Sequence, residues 1–230
     1  MRETRTPFIF LLVAALLVTV AVPAWADTQQ YVVVYGEFNP ANTKAGSSVL
    51  DDLATQALAS GAVRFDVLQQ LDRPNFFALF EIWSSQQTYE AFLTSSDTQA
   101  IFDQLAALRQ APPDERDGTF IEGSVTPRDS HAAARQIFVI THVDIIPTFL
   151  DQAKPLLLQF VADSAGDPGV QTFAMLSWDD ITNHFQLIEV FANQQAFDAH
   201  VSAQHTVDFR NSLQPFIGSP VDERLYQFGS

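Results

Sequence analysis

One stretch of sequence occurs twice in this chain, 108 positions apart. Aligned without a gap, Gly61–Phe120 and Gly169–Phe228 share 18 identical residues in 60 positions, and most of the differences keep apolar or polar character. Solenoid repeats have periods of about 20–50 residues, so this spacing is too long for a solenoid. It is the length of a small domain with its own core. The chain is therefore predicted to hold two copies of one fold, and differences between the copies should mark its function.

The repeat divides the chain into four segments. Residues 27–123 form the predicted first repeat and residues 136–230 the second. Residues 124–135 are the predicted linker, because they lack an apolar period and contain a proline. Residues 1–26 combine a basic start, an apolar run and a small-residue site ending at Ala26, which is the layout of a secretory signal peptide. We therefore expect cleavage after Ala26, a periplasmic or secreted protein, and no membrane association after cleavage.

The composition narrows the range of partners. The chain has 27 acidic and 12 basic side chains, a formal net charge of −15. Such a surface repels phosphate, so we expect no nucleic-acid partner and no binding to anionic lipid. There is no cysteine, which excludes thiolate catalysis and thiolate metal ligands. The 20 phenylalanines supply apolar surface for two separate cores.

Each repeat has the same predicted order of elements: strand, helix, two strands, two helices and a closing strand. A β-branched and aromatic run at Tyr31–Tyr35 predicts the first strand, and apolar residues spaced near 3.6 positions predict a helix over Ala45–Ser60. The closing strands are predicted at Thr119–Glu122 and Arg224–Phe228. The nearby Asp-Glu-Arg triplets are expected to mark a turn and an interdomain ion pair. This order is that of a ferredoxin-like α+β unit.

A ferredoxin-like sheet has helices on one face only. Its other face cannot stay in water here, because alternate strand residues are too apolar. Examples of these residues are Phe65, Val67, Phe77, Leu79 and Ile82. Two such units on one chain can bury these faces against each other. The expected fold class is α+β, with two ferredoxin-like domains packed sheet to sheet as an intrachain pseudo-dimeric α/β barrel. Further oligomerisation stays open.

Four segments carry a resemblance to a known family: Gly61–Gln69, Phe80–Trp83, the histidine pair within Ala199–His205, and the ending Ile217–Tyr226. They resemble the antibiotic biosynthesis monooxygenase (ABM) domain, over essentially all of the mature chain in two passes. The most similar branches are quinol monooxygenases and an autoinducer-processing isomerase. The resemblance implies a cofactor-free oxygenase that acts on a small aromatic or quinone-type molecule and O2. It also implies that a barrel usually built from two chains is built here from one.

Histidine is the clearest difference between the repeats. His200 and His205 of the second repeat align with Phe92 and Asp97 of the first. Because histidine titrates near neutral pH, the second repeat is better equipped for proton transfer. We interpret His200 as a general base for a phenolic or quinol proton and His205 as the residue that orients it. With Glu189 as a polarising carboxylate, these are the candidate catalytic residues.

Structural interpretations of the same residues stay open. His205 precedes a helix and suits a hydrogen bond to a free backbone group there. Glu189 recurs as Glu81 in the repeat that lacks these histidines, which favours a structural role for both. The side chains expected to bind substrate are Trp178, His184 and Phe173.

The sequence offers little that would hold a metal or haem. The second repeat has no His-x3-His or Glu-x-x-His helix signature, so we expect no metal and no cofactor. The resemblance implies that His200 occupies the region where haem-binding members of the fold carry a histidine. Basic residues to hold haem propionates are few in this repeat: Lys154, Arg210 and Arg224. Two alternatives to an oxygenase remain, a non-catalytic module for an apolar small ligand and a haem-handling protein.

Overall fold

The computed structural model describes residues 29–125 and 135–229. The predicted signal peptide lies outside these residues, and so do nine of the twelve predicted linker positions. The signal peptide, the linker and the domain boundaries therefore stay predictions. Within the two described ranges, no helix combines the length and hydrophobicity that a bilayer crossing requires.

The two repeats contain the same elements in the same order. The first repeat consists of β1 (Gln30–Glu37), α1 (Thr43–Ala59), β2 (Ala62–Gln70), β3 (Phe76–Trp83), α2 (Gln86–Thr94), α3 (Ser96–Leu108) and β4 (Asp114–Ser124). The second repeat consists of β5 (Ile137–Asp144), α4 (Leu150–Ser164), β6 (Val170–Trp178), β7 (His184–Phe191), α5 (Gln194–Ser202), α6 (Gln204–Leu213) and β8 (Asp222–Phe228). Equivalent caps start α2 and α5, where the side chains of Ser85 and Asn193 accept hydrogen bonds from backbone amides three residues later.

The last strand of each repeat joins the two repeats into one barrel. β4 pairs with β1 of its own repeat and with β6 of the other, and β8 pairs with β5 and with β2. The strand order around the closed barrel is β1-β3-β2-β8-β5-β7-β6-β4. The predicted pseudo-dimeric α/β barrel is confirmed. Main-chain hydrogen bonds, as well as side-chain packing, hold the repeats together.

Apolar side chains form three cores. The barrel interior is filled from both repeats, and the rings of Phe80 and Phe138 meet there with their centroids 5.7 Å apart. The other two cores lie between the sheet and the helices, one in each repeat. Both faces of the sheet are therefore buried, and burial of each large apolar side chain contributes about 1.5–3 kcal/mol.

Most of the residues predicted at the inter-repeat surface lie on the opposite face of the sheet. Phe65, Val67, Phe77 and Leu79 pack beneath the helices of the first repeat, and Ile82 alone of the five faces the barrel interior. The assignment of the first four was wrong because both strands are buried on both faces: Arg64–Leu68 of β2 are buried, and so is every residue of β3 after Phe76. An unbroken apolar run does not reveal which of its alternate residues face which layer.

The Asp-Glu-Arg triplets lie in strands, so their assignment to a turn was wrong. β4 begins at Asp114 and β8 at Asp222, earlier than predicted. Each arginine pairs with the aspartate of its own triplet, Arg116 with Asp114 at 2.6 Å and Arg224 with Asp222 at 2.5 Å. These ion pairs are therefore within one repeat and not between repeats. Residues at i and i+2 of a strand lie on the same face, so the glutamate between them faces the other way, into a cavity.

Candidate functional site

Each repeat has a cavity between its sheet and its helices. The cavity of the second repeat measures about 610 Å³ and that of the first about 340 Å³, within the size range of small-molecule sites. A strand glutamate lines each one, Glu189 in the second and Glu81 in the first. In one wall His200 of the second repeat takes the place of Phe92. The two cavities occupy equivalent places in the repeats and differ in size and in chemistry.

Glu189 lies in the middle of β7 and is 4% exposed. Its Oε1 accepts a hydrogen bond from the Thr141 hydroxyl at 3.1 Å. Burial, reinforced by the negative charge of Glu223, raises the pKa of Glu189 to about 8, although the bond from Thr141 and the charge of Arg210 oppose this. Glu189 is therefore mostly uncharged at neutral pH and can donate a hydrogen bond to a ligand in the cavity.

His200 lies near the end of α5 and is 3% exposed. Its ring is packed among Phe160, Phe173 and Phe191, with centroid distances of 5.7, 5.4 and 5.1 Å. Phe173, which was predicted to bind substrate, packs against the imidazole and does not line the cavity. The aromatic packing fixes the imidazole plane, so the direction of each ring nitrogen is set by the fold.

Two carboxyl groups flank the His200 ring. Nδ1 lies 2.8 Å from Oδ2 of Asp167, and Nε2 lies 4.0 Å from Oε2 of Glu189. An aspartate carboxylate only accepts hydrogen bonds, so we assign the imidazole proton to Nδ1. The lone pair of Nε2 then faces the side of the ring toward Glu189 and the cavity. A substrate hydroxyl in the cavity can donate its proton to this nitrogen.

The charge state of His200 suits a base. Burial lowers the pKa of His200 below its usual 6.5, and the hydrogen bond and negative charge of Asp167 partly oppose this shift. The imidazole is therefore neutral at pH 7 and free to accept a proton. Once it is protonated, Asp167 is in place to stabilise the imidazolium.

Asp167 is the member of the site that the sequence reasoning missed. It lies between α4 and β6, where the first repeat has Ala59 at the aligned position. A comparison of acidic residues between the repeats would have found it, as the comparison of histidines found His200. His205 also contacts this carboxylate, with Nε2 3.3 Å from Oδ2, and does not line the cavity. His205 therefore acts through Asp167 and not on a ligand directly.

Among the described residues, one cluster has donor atoms that could bind a metal ion: Asp167, His200 and His205. Each offers one ligand atom, and these atoms lie within 4.8 Å of one another. Two histidines and a carboxylate are a donor set for zinc or iron(II). Ligand atoms around a tetrahedral zinc lie about 3.3 Å apart, given bonds of about 2.0 Å. The Nδ1–Oδ2 distance of 2.8 Å is instead that of a hydrogen bond. The geometry is that of a hydrogen-bonded triad.

Trp178 and His184, both predicted to bind substrate, lie away from this cavity. Glu189 faces the helices, so the even-numbered residues of β7 face the barrel, and His184 is one of them. The two rings lie 5.3 Å apart at one end of the barrel. There His184 Nε2 lies 3.1 Å from Asp144, and the Arg116 guanidinium lies 4.7 Å from the Trp178 ring. The structure brings His200 and Glu189 together and leaves these two side chains apart from them.

Known proteins share this architecture. A provisionally named monooxygenase from Fusobacterium nucleatum superposes with a TM-score of 0.77 at 11% identity, covering 89% of this chain and 94% of that one. Another from Lactobacillus acidophilus has a TM-score of 0.71 at 11% identity, covering 89% and 95%. An anthrone oxidase-like protein has a TM-score of 0.66 at 12% identity, covering 88% and 92%. At these identities the likeness concerns the fold alone.

Family membership follows from the sequence itself. Among curated proteins none matches this chain significantly in sequence. The profile of the family described as Antibiotic biosynthesis monooxygenase, ABM, matches residues 30–104 and again residues 136–212. These two matches cover more than half of the chain and fall one in each repeat. The chain therefore belongs to the antibiotic biosynthesis monooxygenase family and carries two ABM domains in tandem.

Proposed function

We propose that the second repeat is a monooxygenase site that uses no flavin or metal and oxidises a small phenol or quinol with O2. The observation that carries the proposal is the imidazole of His200, whose Nε2 faces the cavity while Asp167 holds Nδ1 at 2.8 Å. Membership of a monooxygenase-like family supports the reaction class. The substrate class rests on the chemistry of the cavity.

The first step is removal of the phenolic proton by His200 Nε2. Asp167 keeps the proton of the neutral ring on Nδ1, so Nε2 is always the accepting atom, and it stabilises the imidazolium that forms. His205, 3.3 Å from the same Oδ2, helps to hold the Asp167 carboxylate in place. A positioned general base of this kind contributes about 10²–10⁴-fold to the rate.

The second step is oxidation of the substrate anion by O2. For a quinol, one oxygen atom replaces a ring hydrogen and becomes a hydroxyl group, and the other leaves as water. The product is a hydroxyquinone. The substrate loses all four electrons that O2 gains, so no external reductant is needed. Uncharged Glu189 donates a hydrogen bond to a substrate oxygen and so stabilises negative charge on it.

Oxygen uptake with a panel of quinols tests this function. We expect His200→Ala to lower kcat by about 10²–10⁴-fold, because the general base is lost. His184→Ala is the matched control, since it removes a histidine of the same repeat that lies outside the cavity. Equal turnover by the wild type and His200→Ala would remove His200 from the mechanism. Recovery of the ligand unchanged, without oxygen uptake, would favour a binding module.

We also propose that the protein works in the periplasm or outside the cell. The support is the signal-peptide layout of residues 1–26. Mass spectrometry of the protein from the exported fraction of its host should find a chain that begins at Asp27. A chain that keeps Met1 and stays in the cytoplasmic fraction would refute this proposal.

A further inference from the structure

The cavity of the first repeat occupies the place that corresponds to the second-repeat site. It measures about 340 Å³, and none of the described residues that line it is a histidine. We propose that this cavity is a separate, non-catalytic binding site for an uncharged aromatic molecule that carries a carbonyl oxygen. The proposal does not depend on catalysis by the second repeat, because binding alone tests it.

The walls of the cavity select for flat apolar molecules. Aromatic rings of one strand and two helices contribute to them. The ring centroid of Phe92 lies 4.7 Å from that of Trp83 and 6.4 Å from that of Phe102. Aromatic faces and edges pair favourably with other aromatic rings. The apolar lining is completed by leucines of α1, β3 and α3: Leu50, Leu53, Leu79 and Leu105. The volume lies at the small end of ligand sites, which suits a molecule of one or two rings.

Glu81 places a buried carboxyl group in the wall of this mainly apolar cavity. It is 3% exposed, and its Oε2 accepts a hydrogen bond from Trp83 Nε1 at 2.8 Å. Burial, together with the charges of Glu115 and Asp117, raises the pKa of Glu81 to about 8, so the carboxyl is protonated at neutral pH. Because Oε2 accepts from Trp83, the proton belongs on Oε1, which becomes a donor. A carbonyl oxygen of the ligand is the complementary acceptor.

The surrounding charges disfavour an anionic ligand. Glu115 lines the same cavity, and its Oε1 accepts a hydrogen bond from the Tyr89 hydroxyl at 2.6 Å. Asp103 of α3 also lines the cavity. A ligand carboxylate would face these acidic groups and would also ionise poorly beside Glu81. Arg109 is the basic residue that lines the cavity. The site therefore fits an uncharged acceptor.

Trp83 is a second difference between this site and its counterpart, beside the exchange of His200 for Phe92. The second repeat has Phe191 at the aligned position, which offers no N–H to the strand glutamate. There the carboxyl of Glu189 has His200 as a neighbour instead, at 4.0 Å. In the first repeat the carboxyl is held by an indole, and no imidazole lies among the described residues of the cavity wall. Binding without turnover is the expected outcome.

Isothermal titration calorimetry of the whole chain with three matched probes tests the ligand class. The probes are 2-acetylnaphthalene, 2-isopropenylnaphthalene, which has the same shape without the carbonyl oxygen, and 2-naphthoate, which is charged. We expect the ketone to bind about fivefold to tenfold more tightly than the hydrocarbon, as one hydrogen bond allows. Naphthoate should bind more weakly than the ketone. Equal binding of ketone and hydrocarbon, or tighter binding of naphthoate, would overturn the proposal.

Variants assign the binding to the first repeat. Ala106 lines the cavity from α3, and Ala107 beside it does not line it, so Ala106→Trp fills the cavity and Ala107→Trp is its control. We expect Ala106→Trp to lose one ketone site per chain and Ala107→Trp to keep it. Glu81→Gln should retain ketone binding, because an amide also accepts from Trp83 and donates to the ligand. Unchanged stoichiometry in Ala106→Trp, or loss of ketone binding in a folded Glu81→Gln, would overturn the assignment.

Discussion

Replacement of Glu189 by glutamine should stabilise the protein, and the gain should grow as the pH rises. In the wild type the folded-state pKa of Glu189 is about 8, against an ordinary value of 4.5. Below pH 4.5 the carboxyl is protonated in both the folded and the unfolded chain. Between pH 4.5 and 8 the unfolded chain releases this proton and the folded chain keeps it, so the folded state loses stability as the pH rises. Glutamine is uncharged throughout and removes this loss.

The size of the effect follows from the two pKa values. Each pH unit between them costs about 1.4 kcal/mol of unfolding free energy, so the whole interval corresponds to about 5 kcal/mol. Glu189 is almost fully buried, so solvent screens the effect little. Between pH 5 and pH 7 the wild type should lose about 2.5 kcal/mol that Glu189→Gln retains. The bond from Thr141 survives, because the amide oxygen of glutamine accepts it.

Urea unfolding followed by far-ultraviolet circular dichroism at pH 5, 6 and 7 measures this difference. The contribution of Glu81 is common to both proteins and cancels in the comparison. Glu90→Gln, which removes an exposed carboxylate on α2, controls for the loss of one negative charge. Parallel pH dependences of the wild type and Glu189→Gln would show that Glu189 is ionised in the folded protein. Its assigned role as a hydrogen-bond donor would then be wrong.

Three further predictions concern the base, the triad and the barrel. The kcat/KM for quinol oxidation should fall as the pH drops below the lowered pKa of His200, because protonation removes the accepting lone pair. A fall centred above the ordinary histidine pKa of 6.5 would contradict this. Asp167→Asn should lower kcat by about 10²–10⁴-fold with KM little changed, because asparagine no longer holds the imidazole proton of His200 on Nδ1. Addition of EDTA to the wild type should leave the rate unchanged. Phe138→Ala should lower the unfolding free energy by about 3–5 kcal/mol in urea titrations, because it opens a cavity where the two repeats meet. Leu58 is exposed, so the control Leu58→Ala should change the unfolding free energy by less than about 0.5 kcal/mol.

The architecture was readable from the sequence because the same pattern of apolar residues occurs twice. The strand predicted at Tyr31–Tyr35 lies within β1, and the helix predicted over Ala45–Ser60 matches α1 to within two residues at each end. The sequence did not reveal which face of the buried strands each residue occupies. Burial on both faces removes the polar alternation that would distinguish Phe77, under the helices, from Ile82, in the barrel.

The same ambiguity explains how far the site could be predicted. His200 was predicted as a site residue because the first repeat has phenylalanine at the aligned position. This contrast can be seen without knowing which way the side chain points. Trp178 and His184 were predicted to bind substrate, but the sequence does not show which face of a doubly buried strand they occupy. They lie at one end of the barrel, apart from His200. Asp167 was missed because it was not compared with Ala59 at its aligned position, a contrast that marks it as clearly as phenylalanine marks His200.

The central claim is that proton transfer belongs to the second repeat alone, through His200. Oxygen uptake with a quinol by His200→Phe tests it most directly, because this change gives the second cavity the residue that the first one has. Phe92→Leu makes a parallel change in the first cavity. We predict that His200→Phe lowers kcat by about 10²–10⁴-fold, as His200→Ala does, while Phe92→Leu keeps the wild-type rate. A wild-type rate in His200→Phe would contradict the claim.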